Sequence, residues 1–214
     1  MRRLPLALIL PVLFCACIAG AVEVRDLEGT FKVEPGKTVR IDISVAEIEI
    51  EAADRADVAI ELTVRCRWSL SECKDAIEDM EIASRSSSRR LTLEVTGQKR
   101  WHSSMMELEG TILVPRSSPL EVKMGVADLD ITGVEKDMRV DLGVGRVRVR
   151  APEEKLGEVF IDVGVGQVKL FGPNARLDGR RSFLVGSEVH WDDGAGEAEF
   201  DIEVGVGEVM VRLE

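Results

Sequence analysis

The chain has 214 residues, enough for one domain of moderate size or one elongated repeat stack. Asp and Glu outnumber Lys and Arg by 39 to 28, a formal net charge of −11. No polybasic run interrupts that balance, which excludes the concentrated positive charge that nucleic-acid phosphates require. Aromatic residues are only 4% of the chain and Tyr is absent, so the core must be built from Val, Ile and Leu, side chains that suit a pleated sheet.

Residues 1–21 read as an export signal. Arg2 and Arg3 form a basic start, residues 4–14 are apolar, and Ala19-Gly20-Ala21 fits the small-residue exit cut by a signal peptidase. Cleavage there leaves 26 basic against 39 acidic residues, or −13. A competing reading anchors the chain as a lipoprotein through Cys17, although Phe14 and Cys15 stand where such a motif carries Leu and a small residue. An uncleaved span fits less well, because Pro5 and Pro11 interrupt a stretch barely long enough to cross. The expected location is the periplasm or the cell surface, with membrane contact only through the signal or a lipid anchor.

After the signal, an N-terminal β segment is expected over residues 22–65, starting with the alternation Val39, Ile41, Ile43, Val45 and then Ile48, Ile50. Residues 56–68 alternate as a second strand. A helix-bearing insertion follows over 66–104: Ser69 to Glu72 forms a capping box, and Leu70, Cys73, Ile77 and Met80 share one helical face that fades near Ser84. Residues 91–95 resume as a strand. Cys66 and Cys73, the two cysteines that survive signal removal, read as a disulfide in an exported protein, with two reduced thiols as the alternative. Two cysteines with the distant His102 and His190 make no metal set, and no cofactor is expected.

Residues 105–214 are repetitive. GVADLDI from Gly125, GVGRVRV from Gly143, GVGQVKL from Gly164 and GVGEVMV from Gly205 share one phrase. Residues 44–50 are an earlier copy, and GSEVHW from Gly186 is a shortened one. The steps between successive glycines from Gly125 are 18, 21, 22 and 19 residues, one stacking unit per repeat. Apolar residues alternate on one parity before the glycine phrase (Met138, Val140, Leu142, Val144) and on the other after it (Val147, Val149). A parity flip needs one extra residue, as at a bulge or sharp corner. Gly145, Gly166 and Gly207 stand at such flips, where positive φ or close backbone approach demands glycine. Two architectures fit, a solenoid bending at each phrase or an antiparallel meander with hairpin tips there; at tips the motif valines Val45, Val126, Val144, Val165 and Val206 would break the polar rule, so they are expected to point into a core and favour the solenoid. The expected fold is all-β: a single-chain β-solenoid of about 20-residue repeats with an N-terminal β segment and one inserted helix.

The strand ending at Cys66, the short amphipathic helix, Arg90-Leu91-Thr92-Leu93-Glu94-Val95, Val114-Pro115-Arg116 and the serial Gly-x-Gly-x-Val-x-Val units resemble the bacterial putative adhesin family, also called toastrack domains. The likeness covers residues 38–214. It implies a β-solenoid exposed at the cell envelope, standing alone behind a signal peptide or attached to envelope-stress membrane proteins. Family members commonly carry Asn-Gly where this chain has Val-Gly or Val-Ala. No catalytic residues come with the resemblance.

Among candidate sites, equivalent outward residues should form columns, bringing together Asp128 and Arg146, Asp130 and Arg148, and Lys123 and Asp141. Arg146, Arg148 and Arg150 form a possible anion-binding stripe for lipid headgroups or acidic polysaccharide, to which Arg176, Arg180 and Arg181 could add. Asp141 and Asp162, sharing a column, are the best carboxylate pair for a polysaccharide-acting enzyme, yet nothing sets their environments apart as general acid and base require. The repeats lack the Asp step of a calcium-binding β-roll. Trp191 fits a core position, and Trp101-His102 a surface contact. The resulting expectation is a non-catalytic, adhesin-like envelope module binding an envelope protein or glycan, with a scaffold or sensor in envelope-stress signalling as the alternative.

Overall fold

The structure, a computed structural model, describes residues 24–67, 71–97, 106–173, 176–178, 180–182 and 186–214. The expected signal segment with Cys17, the helix-opening Ser69 and Leu70, and Trp68, Trp101 and His102 lie outside the described residues, as do the side chains of Arg176, Arg180 and Arg181. The chain is nearly all β. Its strands are β1 (Val24–Lys32), β2 (Thr38–Ala53), β3 (Asp57–Cys66), β4 (Glu81–Ser86), β5 (Arg90–Thr96), β6 (Met106–Pro115), β7 (Leu120–Thr132), β8 (Met138–Ala151), β9 (Leu156–Phe171), β10 (Arg176–Asp178), β11 (Arg180–Ser182), β12 (Gly186–Trp191) and β13 (Ala198–Leu213). One helix, α1 (Ser71–Glu78), stands among the described residues.

Four strands carrying the glycine phrase and β2, with its glycine-free copy, pair in parallel in the order β2, β7, β8, β13, β9. Their register matches the phrase residue for residue: Val45 faces Val126, Val126 faces Val144, Val144 faces Val206, and Val206 faces Val165. The connections show that these strands are bent. β7 has 13 residues and would run about 40 Å if straight. Only residues 133–137 separate its end from the start of its parallel partner β8, a return of at most about 20 Å. The chain can regain its starting level only if β7 folds back at its middle, so each long strand has two legs.

The other pairings respect this division. β5 lies beside the first leg of β2 and β6 beside the second, while β12 pairs with the first leg of β9 and β10 with the second. Inward residues of both legs, such as Val39, Ile41 and Ile43 before the bend and Ile48 and Ile50 after it, belong to one contiguous apolar core. Trp191 joins that core from β12.

The bend differs from expectation in one respect. Val126, Val144, Val165 and Val206 are 45–48% exposed and Val45 is half-buried, so the motif valines point outward. The extra residue sits one step earlier than the parity suggested: Leu142 is buried, Gly143 and Val144 both face solvent, and inward alternation resumes at Gly145. Two consecutive outward residues make the outer edge of a corner. The inner position is tightly packed. Gly145 has φ +141° and a Cβ there would lie 1.8 Å from the carbonyl oxygen of Ala127; at Gly207, φ +156°, it would lie 1.7 Å from that of Gly145. Only a residue without a side chain permits such stacking.

Two further expectations are corrected. The copy at Gly186 is no corner: β12 is a six-residue strand antiparallel to β9, with Gly186 at its start. The helix ends at Glu78 rather than near Ser84, because residues 81–86 gain a full antiparallel ladder with β5. Cys73 and Ile77 do form its buried face, and Met80, just past its end, is buried with them. Cys66 at the end of β3 is bonded to Cys73 in α1, with Cα atoms 6.1 Å apart. Arg25 on β1 donates through Nη1 to the carbonyl of Ile77 at 2.6 Å and to that of Glu78, satisfying acceptors at the helix end.

The corner contact makes a sharp expectation. Gly145→Ala, Gly166→Ala and Gly207→Ala should each lose about 3 kcal/mol or more of unfolding free energy, from positive-φ strain and backbone overlap together. Urea titration measures it, and losses below about 1 kcal/mol would mean that the corner is not held by this contact. Cys66→Ser with Cys73→Ser should cost about 2 kcal/mol, matched in the wild type by adding reductant.

Candidate functional site

Parallel pairing in register converts the repeat into straight columns of side chains at the strand spacing of about 4.8 Å. The most unusual column is the outer corner itself. Val45, Val126, Val144, Val206 and Val165 form a ridge about 19 Å long, and four of its members are among the six exposed large hydrophobic residues in the described chain. The column before it is Ser44, Gly125, Gly143, Gly205, Gly164, and the column after it Ala46, Ala127, Gly145, Gly207, Gly166. The ridge therefore stands between two troughs, the first a row of exposed glycines and the second a row where the chain turns inward and its alanines are buried.

Charged columns border the troughs. On the first-leg side lie Asp42, Lys123, Asp141, Glu203 and Asp162, and on the second-leg side Glu47, Asp128, Arg146, Glu208 and Gln167. At the β2 end of the ridge an open cavity of about 440 Å³ has Val45, Val126, Met106 and Leu108 in its wall, with Arg67, Glu107, Glu109 and Asp128 around them.

The expected ion pairs are present: Arg146 lies 3.5 Å from Asp128, Arg148 2.8 Å from Asp130, and Lys123 3.8 Å from Asp141. The columns do not follow chain order, however. β13, last in the chain, lies between β8 and β9, so Glu208 rather than Gln167 follows Arg146, at 3.8 Å, and Glu203 separates Asp141 from Asp162. Arg139 on β8 meets both Asp201 at 3.3 Å and Glu203 at 2.8 Å on β13.

The expected arginine stripe is thereby divided. Arg146 and Arg148 are held by carboxylates, whereas Arg150 faces Thr132 on one side and Arg212 on the other, with no carboxylate partner among the described residues. Lys169 lies one strand further, beside Met210. Arg212 escaped sequence reasoning because its place beside Arg150 depends on β13 entering between β8 and β9, which also sets Lys169 one strand further from the stripe than chain order suggests. Of the corner glycines named from sequence, Gly125, Gly143, Gly164 and Gly205 line one trough and Gly145, Gly166 and Gly207 the other. The outward valines did carry a signal. The first copy has Ser44 before its valine and Ala46 after it, a polar residue on the outer side and a small apolar one on the inner.

No protein-family profile and no curated protein sequence matches the chain. Among solved structures it is similar to a putative cell adhesion protein from Clostridium sporogenes, at 15% identity and a TM-score of 0.46, over 89% of this chain and 100% of the other. It is also similar to a putative adhesin from Bacteroides fragilis, at 10% identity and 0.23, over 87% and 97%, and to a putative lipid binding protein from Parabacteroides distasonis, at 10% identity and 0.27, over 92% and 98%. Two of these three descriptions name adhesion, the same word as the family resemblance. Identities and scores at this level assign no role.

The ridge is a surface feature separable from the core. Val144→Thr should change stability by less than about 1 kcal/mol, while its buried neighbours Leu142→Ala and Val147→Ala should cost about 2–4 kcal/mol. Thermal unfolding of the three variants checks this.

Proposed function

We propose that the chain is an exported, non-catalytic, adhesin-like interaction module of the cell envelope, built as a β-solenoid whose coils are β2, β7, β8, β13 and β9. The bent parallel strands and their short returns support the solenoid. Export is supported by the signal-like start and by the Cys66–Cys73 bond, which belongs to an oxidising compartment. The observation that carries the binding role is the exposure of Val126, Val144, Val206 and Val165 in one row, an apolar feature of the exterior repeated from coil to coil. Asp141, Glu203 and Asp162 stand exposed side by side, and none lies in the apolar surroundings that set a general acid apart from its base.

A second surface supports anion recognition. On the second legs Arg150 and Arg212 oppose each other directly, an arrangement of like charges that costs stability unless an anion lies between them. Acidic polysaccharide or anionic headgroups fit this chemistry.

Fractionation of a bacterial producer tests export. The protein should reach the periplasm or surface, with Cys66 and Cys73 closed to alkylation until reduced; cytosolic protein with free thiols overturns the reading. A polysaccharide panel should give binding without turnover. Retention on a sulfated glycan at low salt should weaken at least fivefold in Arg150→Ala/Arg212→Ala and less than twofold in Arg146→Ala, and equal losses would remove the specific role of the unpaired arginines.

A further inference from the structure

We propose that the valine ridge is a docking edge for a basic amphipathic helix of a partner protein, a proposal that rests on reading the chain as an interaction module and names the chemistry of its partner. Exterior corners ordinarily carry polar residues. Here four valines at 45–48% exposure stand in line, although threonine would keep the same β-branched shape without presenting apolar surface to water.

Shape selects a rod-like partner. The four exposed valines lie on consecutive strands and span about 14 Å, the length of a helix of about 10 residues. The row of exposed glycines beside them offers no side chains to hold a helix away, so its axis can settle close to the sheet, and an apolar stripe at i, i+3, i+4 and i+7 spacing would follow the valines.

Charge selects the sign. The column bordering one trough has four carboxylates against Lys123, and that bordering the other has three against Arg146, a net −3 and −2. A second copy of this chain would bring the same acidic borders face to face, and an anionic membrane would be repelled likewise. A helix whose apolar stripe is edged by Lys and Arg meets both borders with opposite charge.

A labelled 14-residue helical peptide of Leu and Lys, with its leucines on one stripe, tests this by fluorescence anisotropy against the full chain at low and physiological salt. Binding should be salt-dependent. It should weaken at least tenfold in Val126→Thr/Val144→Thr/Val206→Thr, a variant that keeps the β-branched shape and whose circular dichroism and unfolding midpoint should match the wild type. Asp141→Asn/Glu203→Gln/Glu208→Gln should weaken binding and flatten its salt dependence, while Glu28→Gln/Glu61→Gln, away from the ridge, should change it less than twofold. No binding at low salt, unchanged binding by the threonine variant, or equal binding of a Leu/Glu peptide overturns the proposal. So does ridge-dependent sedimentation with phosphatidylglycerol vesicles, which would make the edge a membrane contact. If the peptide fails while glycan binding persists, the helix partner falls and the interaction module stands.

Discussion

The contact on which the molecule depends is the stacking of one corner backbone on the next. The carbonyl oxygen of Ala127 occupies the place that a side chain at Gly145 would need, and Gly145 does the same to Gly207. A contact this close fixes the register of neighbouring strands to the residue, since a slip of one would drive a side chain into a carbonyl. Fixed register then decides the rest. It keeps isoleucine against isoleucine in the core, lines up charges on the outside, and sets the valines in a row. The preceding glycines, Gly143 and Gly205, repeat the condition on the other side of the corner, each with a carbonyl of the adjacent strand under 3 Å from where Cβ would stand.

Register alone does not fix the order of strands. β8, β9 and β13 present similar inward faces, with Met138, Val140 and Leu142 in one, Val159, Ile161 and Val163 in the next, and Phe200, Ile202 and Val204 in the last. Their outward faces differ. With β13 as neighbour, Arg139 meets Asp201 and Glu203, and Arg146 meets Glu208. With β9 in that place, the same register would set Arg139 against Phe160, Asp141 against Asp162 and Arg148 against Lys169. The observed order also leaves Asp141 beside Glu203 and Arg150 beside Arg212, so the preference comes from the three added pairs. Exposed pairs are worth a few tenths of a kcal/mol each, enough to choose between two otherwise equivalent slots though not to hold either together.

These two layers explain what could be read in advance. Period-two alternation and the glycine phrase revealed the all-β class, the bends and the equivalence of the strands, because both arise from local sterics that each repeat carries within itself. Cys66 with Cys73, and the buried helical face of Cys73 and Ile77, were legible for the same reason. The direction of the valines was not, because alternation tolerates the extra residue on either side of Gly145, and only three-dimensional packing selects the earlier site. The place of β13 was not legible either. It depends on weak contacts between residues some 60 positions apart, such as Arg139 and Glu203, which no local pattern encodes.

The ends of the stack bear on where a partner can attach. A parallel in-register array offers open strands at both ends, and those are the usual points of growth by further copies. Here both ends switch to antiparallel pairing. β4 lies against β5, and β3 and β1 beyond β6, with α1 tied to β3 by the disulfide and to β1 by Arg25. At the other end β12 and β10 lie antiparallel on β9. The strands beyond the bent array lack the glycine phrase, so the corner stacking that joins its members does not continue past them. Exposed apolar surface is left mainly on the flank, where the corner valines run across the array rather than along a strand edge. The side chains held in line by the stack therefore face sideways, and the backbone hydrogen bonds of the strands are left to the fold.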